Sequence, residues 1–155
     1  MIQKLRSFFK NQKEDKIIEV AYLFGSRSDG TDGPLSDYDI AVLYSQIVPP
    51  EVTYRLAHQL QTLLGTGRMD LVVLNHAPVE LSYAVIATGT IVYEVNKAAR
   101  VDFEASTLSR YGDYLPILRR QRKEILEEPN NEAGIQRYRA TLRQTQRLLK
   151  EIRTV

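Results

Sequence analysis

The 155-residue sequence contains no cysteine and no tryptophan. Without cysteine there are no disulfides and no thiolate metal sites, so the fold must hold by packing alone and an oxidising compartment gains no support. Long apolar runs are missing as well. Nothing approaches the roughly 18 apolar residues of a membrane-spanning helix, and the start, "MIQKLRSFFKNQKED", has no apolar stretch of signal-peptide length. These absences lead us to expect a soluble, cytoplasmic protein with no membrane partner. Neither His58 nor His76 has a second ligand at metal spacing, and "GTGRMD" lacks the GxxxxGK(S/T) pattern of a phosphate loop, so a plain turn is expected there. Internal repeats and low-complexity tracts are lacking too.

What is present suits one globular domain with a real hydrophobic core. The net charge of +2 hides an asymmetry: residues 1–96 hold 8 Lys/Arg and 11 Asp/Glu, net −3, whereas residues 97–155 hold 13 and 8, net +5. The basic part includes "LRRQRK" and reads as helical, which suits nucleic acid or an acidic protein surface as well as a simply solvated helix face.

Periodicity divides the chain into elements. Ile2 to Lys10 has the spacing of a short amphipathic helix ending near "NQKED", and "IIEVAYLF", Ile17 to Phe24, has the continuous apolar character of a buried strand. "IAVLY", Ile40 to Tyr44, is a second strand. Pro49-Pro50 suits a helix start, after which Val52, Leu56, Leu60, Leu63 and Leu64 recur at helical spacing up to the Gly65-Thr66-Gly67 turn. "MDLVVLN", Met69 to Asn75, gives a third strand. Pro78 opens a helix through Thr88, Gly89 stops it, and "TIVYE" gives a fourth strand. From Arg100 the pattern is helical, with Phe103, Leu108, Tyr111, Leu115, Leu118 and Ile125 as its apolar stripe and Pro116 as a break or kink. "EEPNNEAG" is the one convincing linker, and Asn130 or Asn131 is placed to cap a terminal helix. In that last segment Ile135, Tyr138, Leu142, Thr145, Leu149 and Ile152 alternate at three and four, a seam of about two and a half heptads. It packs on the domain's own helices or faces a partner or a second copy.

The chemistry concentrates in "LFGSRSDGTDGPLSDYDIAVL", Leu23 to Leu43. Residues two apart in a strand share a face, so Asp37 and Asp39 present both carboxylates on one side of the strand leading into "IAVLY", with Tyr38 turned away. Two converging carboxylates raise one pKa unless a cation neutralises them. Magnesium suits oxygen ligands and is commonly held by one or two carboxylates plus substrate phosphates. Asp70 opens a different strand; if that strand lies beside the first, three carboxylates converge, as a two-metal site requires. On the other side, Gly25 lets the backbone approach a phosphate, Ser26 adds a hydroxyl donor and Arg27 a charge contact. Gly30 and Gly33-Pro34 make the intervening loop turn-rich. Each piece alone has a plain reading: a loop Asp-x-Asp, a strand-end turn, a solvated aspartate. Tyr22 and Tyr83 are expected in the core.

Taken together, Gly25-Ser26, ten intervening residues, Asp37-x-Asp39 and the strand aspartate Asp70 resemble the signature of the polymerase-beta-like nucleotidyltransferase superfamily. "YLFGSR", "SDYDIAVL" and "MDLVVLN" look like the minimal nucleotidyltransferases, the MntA-type antitoxins paired with HEPN-domain ribonuclease toxins. The likeness extends through "ELSYAVIATGTIVYE" and "RVDFEASTLSRYGDYLPILRRQRKEIL". It implies an α/β fold with a small mixed sheet backed by helices, then C-terminal helices: a nucleotidyltransferase core at 1–96, helices packed on it at 97–128, and a terminal partner or self-association helix at 129–155. It also implies Mg²⁺-dependent transfer of AMP from ATP to a tyrosine of a cognate HEPN toxin, silencing it without need of nucleic acid, in a homo-oligomer or a hetero-oligomer with the toxin. Asp37, Asp39 and Asp70 would then be catalytic and hold two ions, and Gly25, Ser26 and Arg27 would hold the nucleotide. A stoichiometric binding antitoxin, or nucleotidyl transfer to a small molecule or RNA end, are the alternatives.

Overall fold

Four apolar runs become strands: β1 (Ile18–Phe24), β2 (Tyr38–Tyr44), β3 (Met69–Val73) and β4 (Thr90–Glu94). They form one sheet in the order β3-β2-β1-β4, with β1 antiparallel to β2 and β4, and β2 parallel to β3. The described helices are α1 (Ile2–Asn11), α2 (Pro50–Leu64), α3 (Val79–Thr88), α4 (Lys97–Glu127) and α5 (Glu132–Arg153), with a 3-10 turn at Leu74–His76. The structure, a computed structural model, describes residues 1–12, 17–25, 37–127 and 132–153. This is the helix-backed mixed sheet expected from the sequence. No described helix is long and apolar enough to cross a membrane.

A parallel pair needs a crossover connection, and α2 supplies it between β2 and β3. Gly65, at φ 66, closes that helix with a left-handed cap. Ala21, Leu23, Ile40, Val42 and Leu71 point to one face of the sheet, where α1 and α2 cover them with Phe9, Leu56 and Leu60. Val20, Tyr22, Ala41, Leu43 and Val72 point to the other, under Val85 of α3 and Phe103 of α4. Burial on both faces is why the strands read as unbroken apolar runs.

Polar contacts finish the edges. Strand β3 ends at Val73, two residues earlier than expected, because Asn75 has turned its side chain into the ladder. Its Nδ2 donates to the Tyr44 carbonyl at 2.7 Å and its Oδ1 accepts from the Tyr44 N–H at 2.9 Å. A side-chain amide thus serves as the next backbone rung. On the opposite face the Tyr22 hydroxyl, fully buried, donates to Glu104 Oε1 at 2.9 Å. Arg100 joins Glu94 through Nε and Glu104 through Nη1, the latter at 3.0 Å. Burial first, and the Glu104 carboxylate second, push the Tyr22 hydroxyl well above its usual range. It stays protonated and ties α4 to β1.

Helix α4 departs from expectation in three ways. It begins at Lys97, before Arg100, because Asn96 Oδ1 caps it by accepting from the Ala99 N–H at 2.8 Å. It runs through Pro116 without a break. Pro116 and Gly112, whose carbonyl loses its donor, are both exposed, so water can satisfy that carbonyl. Inward packing holds the helix on either side, with Tyr111 stacked on Tyr83 of α3 at 3.9 Å between ring centroids. Finally, Leu108 is 48% exposed, and Thr107 takes the buried place. Helix α5 packs against α4 and β3. Of the expected linker at 127–134, Glu127 ends α4 and Glu132 to Gly134 already belong to α5. Residues 128–131, with the Asn130 or Asn131 cap, lie outside the described residues, as do the side chains of Tyr138, Leu142, Thr145, Leu149 and Ile152, while Ile135 is half-buried.

Replacing Asn75 with alanine leaves the Tyr44 amide and carbonyl without these partners. Asn75→Ala is expected to lower unfolding free energy by about 1–3 kcal/mol in urea titration with an unchanged m-value.

Candidate active site

The site begins where β1 stops. Phe24 is the register partner of Asp39 across the antiparallel β1–β2 pair. The next residue, Gly25, sits at φ 76, in the left-handed region that glycine enters freely. A Cβ there would overlap Asp39 Oδ2 and lie 3.2 Å from its Cγ. Glycine is therefore required twice, by the backbone and by the carboxylate packed against it.

Strand alternation places Asp39 on the face of Ala41 and Leu43, the face covered further along by α3 and α4. Across the parallel ladder, Asp39 is the direct register partner of Asp70. Two half-buried carboxylates thus stand side by side on adjacent strands, whose backbones lie about 4.8 Å apart. Asp37 is exposed and precedes β2. Tyr38, between the two aspartates, packs against the opposite core as expected. Its N–H donates to the Arg68 carbonyl at 3.0 Å, extending the β2–β3 ladder one rung toward Asp37.

Asp39 and Asp70 supply two hard oxygen donors, a set that fits a magnesium ion whose remaining ligands come from water or phosphate. Among the described residues no three His, Cys, Asp or Glu side chains close into one metal-holding group. The register therefore unites Asp39 with Asp70, while Asp37 lies outside the paired stretch, and the expected three-carboxylate convergence is not formed among the described residues. Ser26 and Arg27 lie outside the described residues. His58 and His76 are exposed. Tyr22 is core, and Tyr83 is half-buried between α3 and α4. The contact between Gly25 and Asp39 joins residues fourteen apart in sequence, and a single sequence carries no signal for it.

Residues 3–98 match the model of the polymerase beta nucleotidyltransferase family. The chain is similar to the protein adenylyltransferase MntA of Shewanella oneidensis, 33% identical over 94 residues, which are 61% of this chain and 66% of that relative. Its structure resembles a chain of a toxin–antitoxin crystal structure with AMP-PNP, at TM-score 0.64 and 27% identity, covering 81% of this chain and 96% of that one. It also resembles a chain from the complex of tri-AMPylated Shewanella oneidensis HEPN toxin with MNT antitoxin, at TM-score 0.61 and 25% identity, covering 83% and 98%.

Gly25→Ala is expected to cost about 1–2 kcal/mol from left-handed strain, plus the clash with Asp39. In the Gly25→Ala/Asp39→Ala double variant the clash is gone. Chemical denaturation of all three variants should show the double variant losing less stability than Gly25→Ala alone.

Proposed function

Because the chain belongs to the polymerase beta nucleotidyltransferase family, we infer that it transfers AMP from ATP to a tyrosine hydroxyl of a cognate HEPN-domain toxin and thereby acts as the antitoxin. The observation that carries this reading is the register pairing of Asp39 with Asp70 beside the left-handed Gly25. Its support from relatives is the likeness to MntA and to chains solved with AMP-PNP and with an AMPylated HEPN toxin.

In this reading residues 1–96 are the catalytic core, residues 97–128 brace it and residues 129–155 form a terminal helix. The Gly25 turn, with Ser26 and Arg27, holds the triphosphate through backbone and side-chain donors. Asp39 and Asp70, with Asp37 completing the set, hold one or two magnesium ions. When bound, magnesium neutralises charge on the triphosphate and on the leaving pyrophosphate. The tyrosine oxygen attacks the α-phosphorus, the bond to the β,γ-pyrophosphate breaks, and Asp70 accepts the phenolic proton. Transfer of this kind depends on positioning and electrostatics, so rigid placement of two carboxylates on paired strands is the protein's main contribution.

Incubation with α-labelled ATP, Mg²⁺ and the HEPN protein encoded beside this chain is expected to label that protein. Asp39→Ala and Asp70→Asn should each reduce labelling by at least about 100-fold without lowering the melting temperature. Equal labelling by the variants would refute the assigned roles. Chelation should abolish labelling, and added magnesium should restore it.

A further inference from the structure

Helix α4 carries three lengthwise sectors. Phe103, Thr107, Tyr111, Leu118 and Ile125 form the inward sector, all at least half-buried, with Phe103 on the second core and Tyr111 on α3. Ser109, Asp113, Arg120 and Glu127 form an exposed polar sector. Between them, roughly a third of a turn from the inward sector, runs a second apolar line in heptad phase. Val101, Leu108 and Leu115 repeat at seven, and Ala105 and Gly112 follow the first two by four. Val101 is 43% and Leu108 48% exposed, Ala105 and Gly112 are exposed too, and Leu115 is half-buried. The line continues into exposed Arg119 and Arg122 and ends at Leu126, 74% exposed. Helix α5 lies on the other flank, where Arg137 meets Glu124 at 4.0 Å.

Single exposed apolar residues need no explanation, whereas their alignment over most of a helix does. Gly112 adds an independent observation. Glycine is a poor helix former, yet this one sits inside a 31-residue helix. A Cβ built on it meets nothing within 4 Å. Nothing described in the chain uses the space, and Ala105 and Gly112 occupy the positions where the backbone of a second helix would approach most closely.

We propose that this line docks one α-helix of the partner toxin, a helix with apolar residues at heptad spacing and carboxylates opposite Arg119 and Arg122. It rests on the reading of the partner given above. Charge favours this occupant over a second copy of the chain. Parallel copies would bring four arginines together. Antiparallel copies would set Arg119 and Arg122 against Leu108 and Ala105, with no carboxylate in the line to meet them.

The test is calorimetric titration of the full chain with the HEPN protein encoded beside it. Gly112→Leu fills open space and favours helix, so it should keep or raise the melting temperature while weakening binding at least tenfold. Arg119→Glu/Arg122→Glu should weaken binding similarly and flatten its salt dependence. Asp39→Ala should leave Kd unchanged and abolish AMP transfer. Wild-type affinity in the Gly112 and arginine variants overturns the surface even if transfer proceeds. Binding without transfer by the wild-type chain sinks the transferase reading, and the variants then still decide the surface. Absence of binding, or a double-mass species in solution that Gly112→Leu returns to a monomer, overturns the proposal as well.

Discussion

The parallel pairing of β2 with β3 is the constraint on which the site depends. Asp39 and Asp70 are distant in sequence and share no local element, yet one ladder sets them side by side. A slip of one residue would turn one carboxylate to the opposite face, among Met69 and Leu71. Register is held by apolar alternation on both faces and, at the far end, by the Asn75 side chain bonded to Tyr44. The polar end of the ladder is therefore positioned by its apolar middle. Two like charges are costly to gather, and the free energy comes from a core that has no part in the chemistry.

Helix α4 works in two directions. Its inward sector closes the second core and is tied to the sheet through Tyr22, Glu104, Arg100 and Glu94. Because the tie links α4 to both β1 and β4, the helix is fixed relative to the strand that ends at Gly25. A partner held on the outward line of α4 would thus be held relative to the carboxylates by rigid elements throughout. Preorganisation of this kind suits a transfer reaction whose difficulty lies mainly in bringing reactants together.

Much of this was legible in the sequence, for identifiable reasons. Strands β1, β2 and β3 announce themselves as apolar runs because they are buried on both faces, whereas β4 is mostly half-buried. Gly65 marks a helix end through its left-handed backbone, and Gly89 through its close approach to the Val85 carbonyl. The alternation of Asp37, Tyr38 and Asp39 correctly predicts which way Tyr38 turns. The pairing of Asp70 with Asp39 was conditional on strand order, which periodicity does not encode. Pro116 misled because a helix-breaking residue on an exposed face can be outweighed by packing on either side. Leu108 misled because α4 has two apolar lines, and a single stripe drawn through both mixes them. The Asn75 rung and the Tyr22–Glu104 bond depend on contacts between elements far apart in the chain.

The glycine turn at the end of β1 bears on how such chains would age. Gly25 is held to glycine partly by the Asp39 carboxylate packed against it, so the two positions are sterically coupled across the sheet. In a lineage that abandoned catalysis and kept only partner capture, loss of the acidic side chain would also loosen the demand on its neighbour. Drift at the turn would then track drift at the strand, leaving paired substitutions as the fossil of a lost reaction.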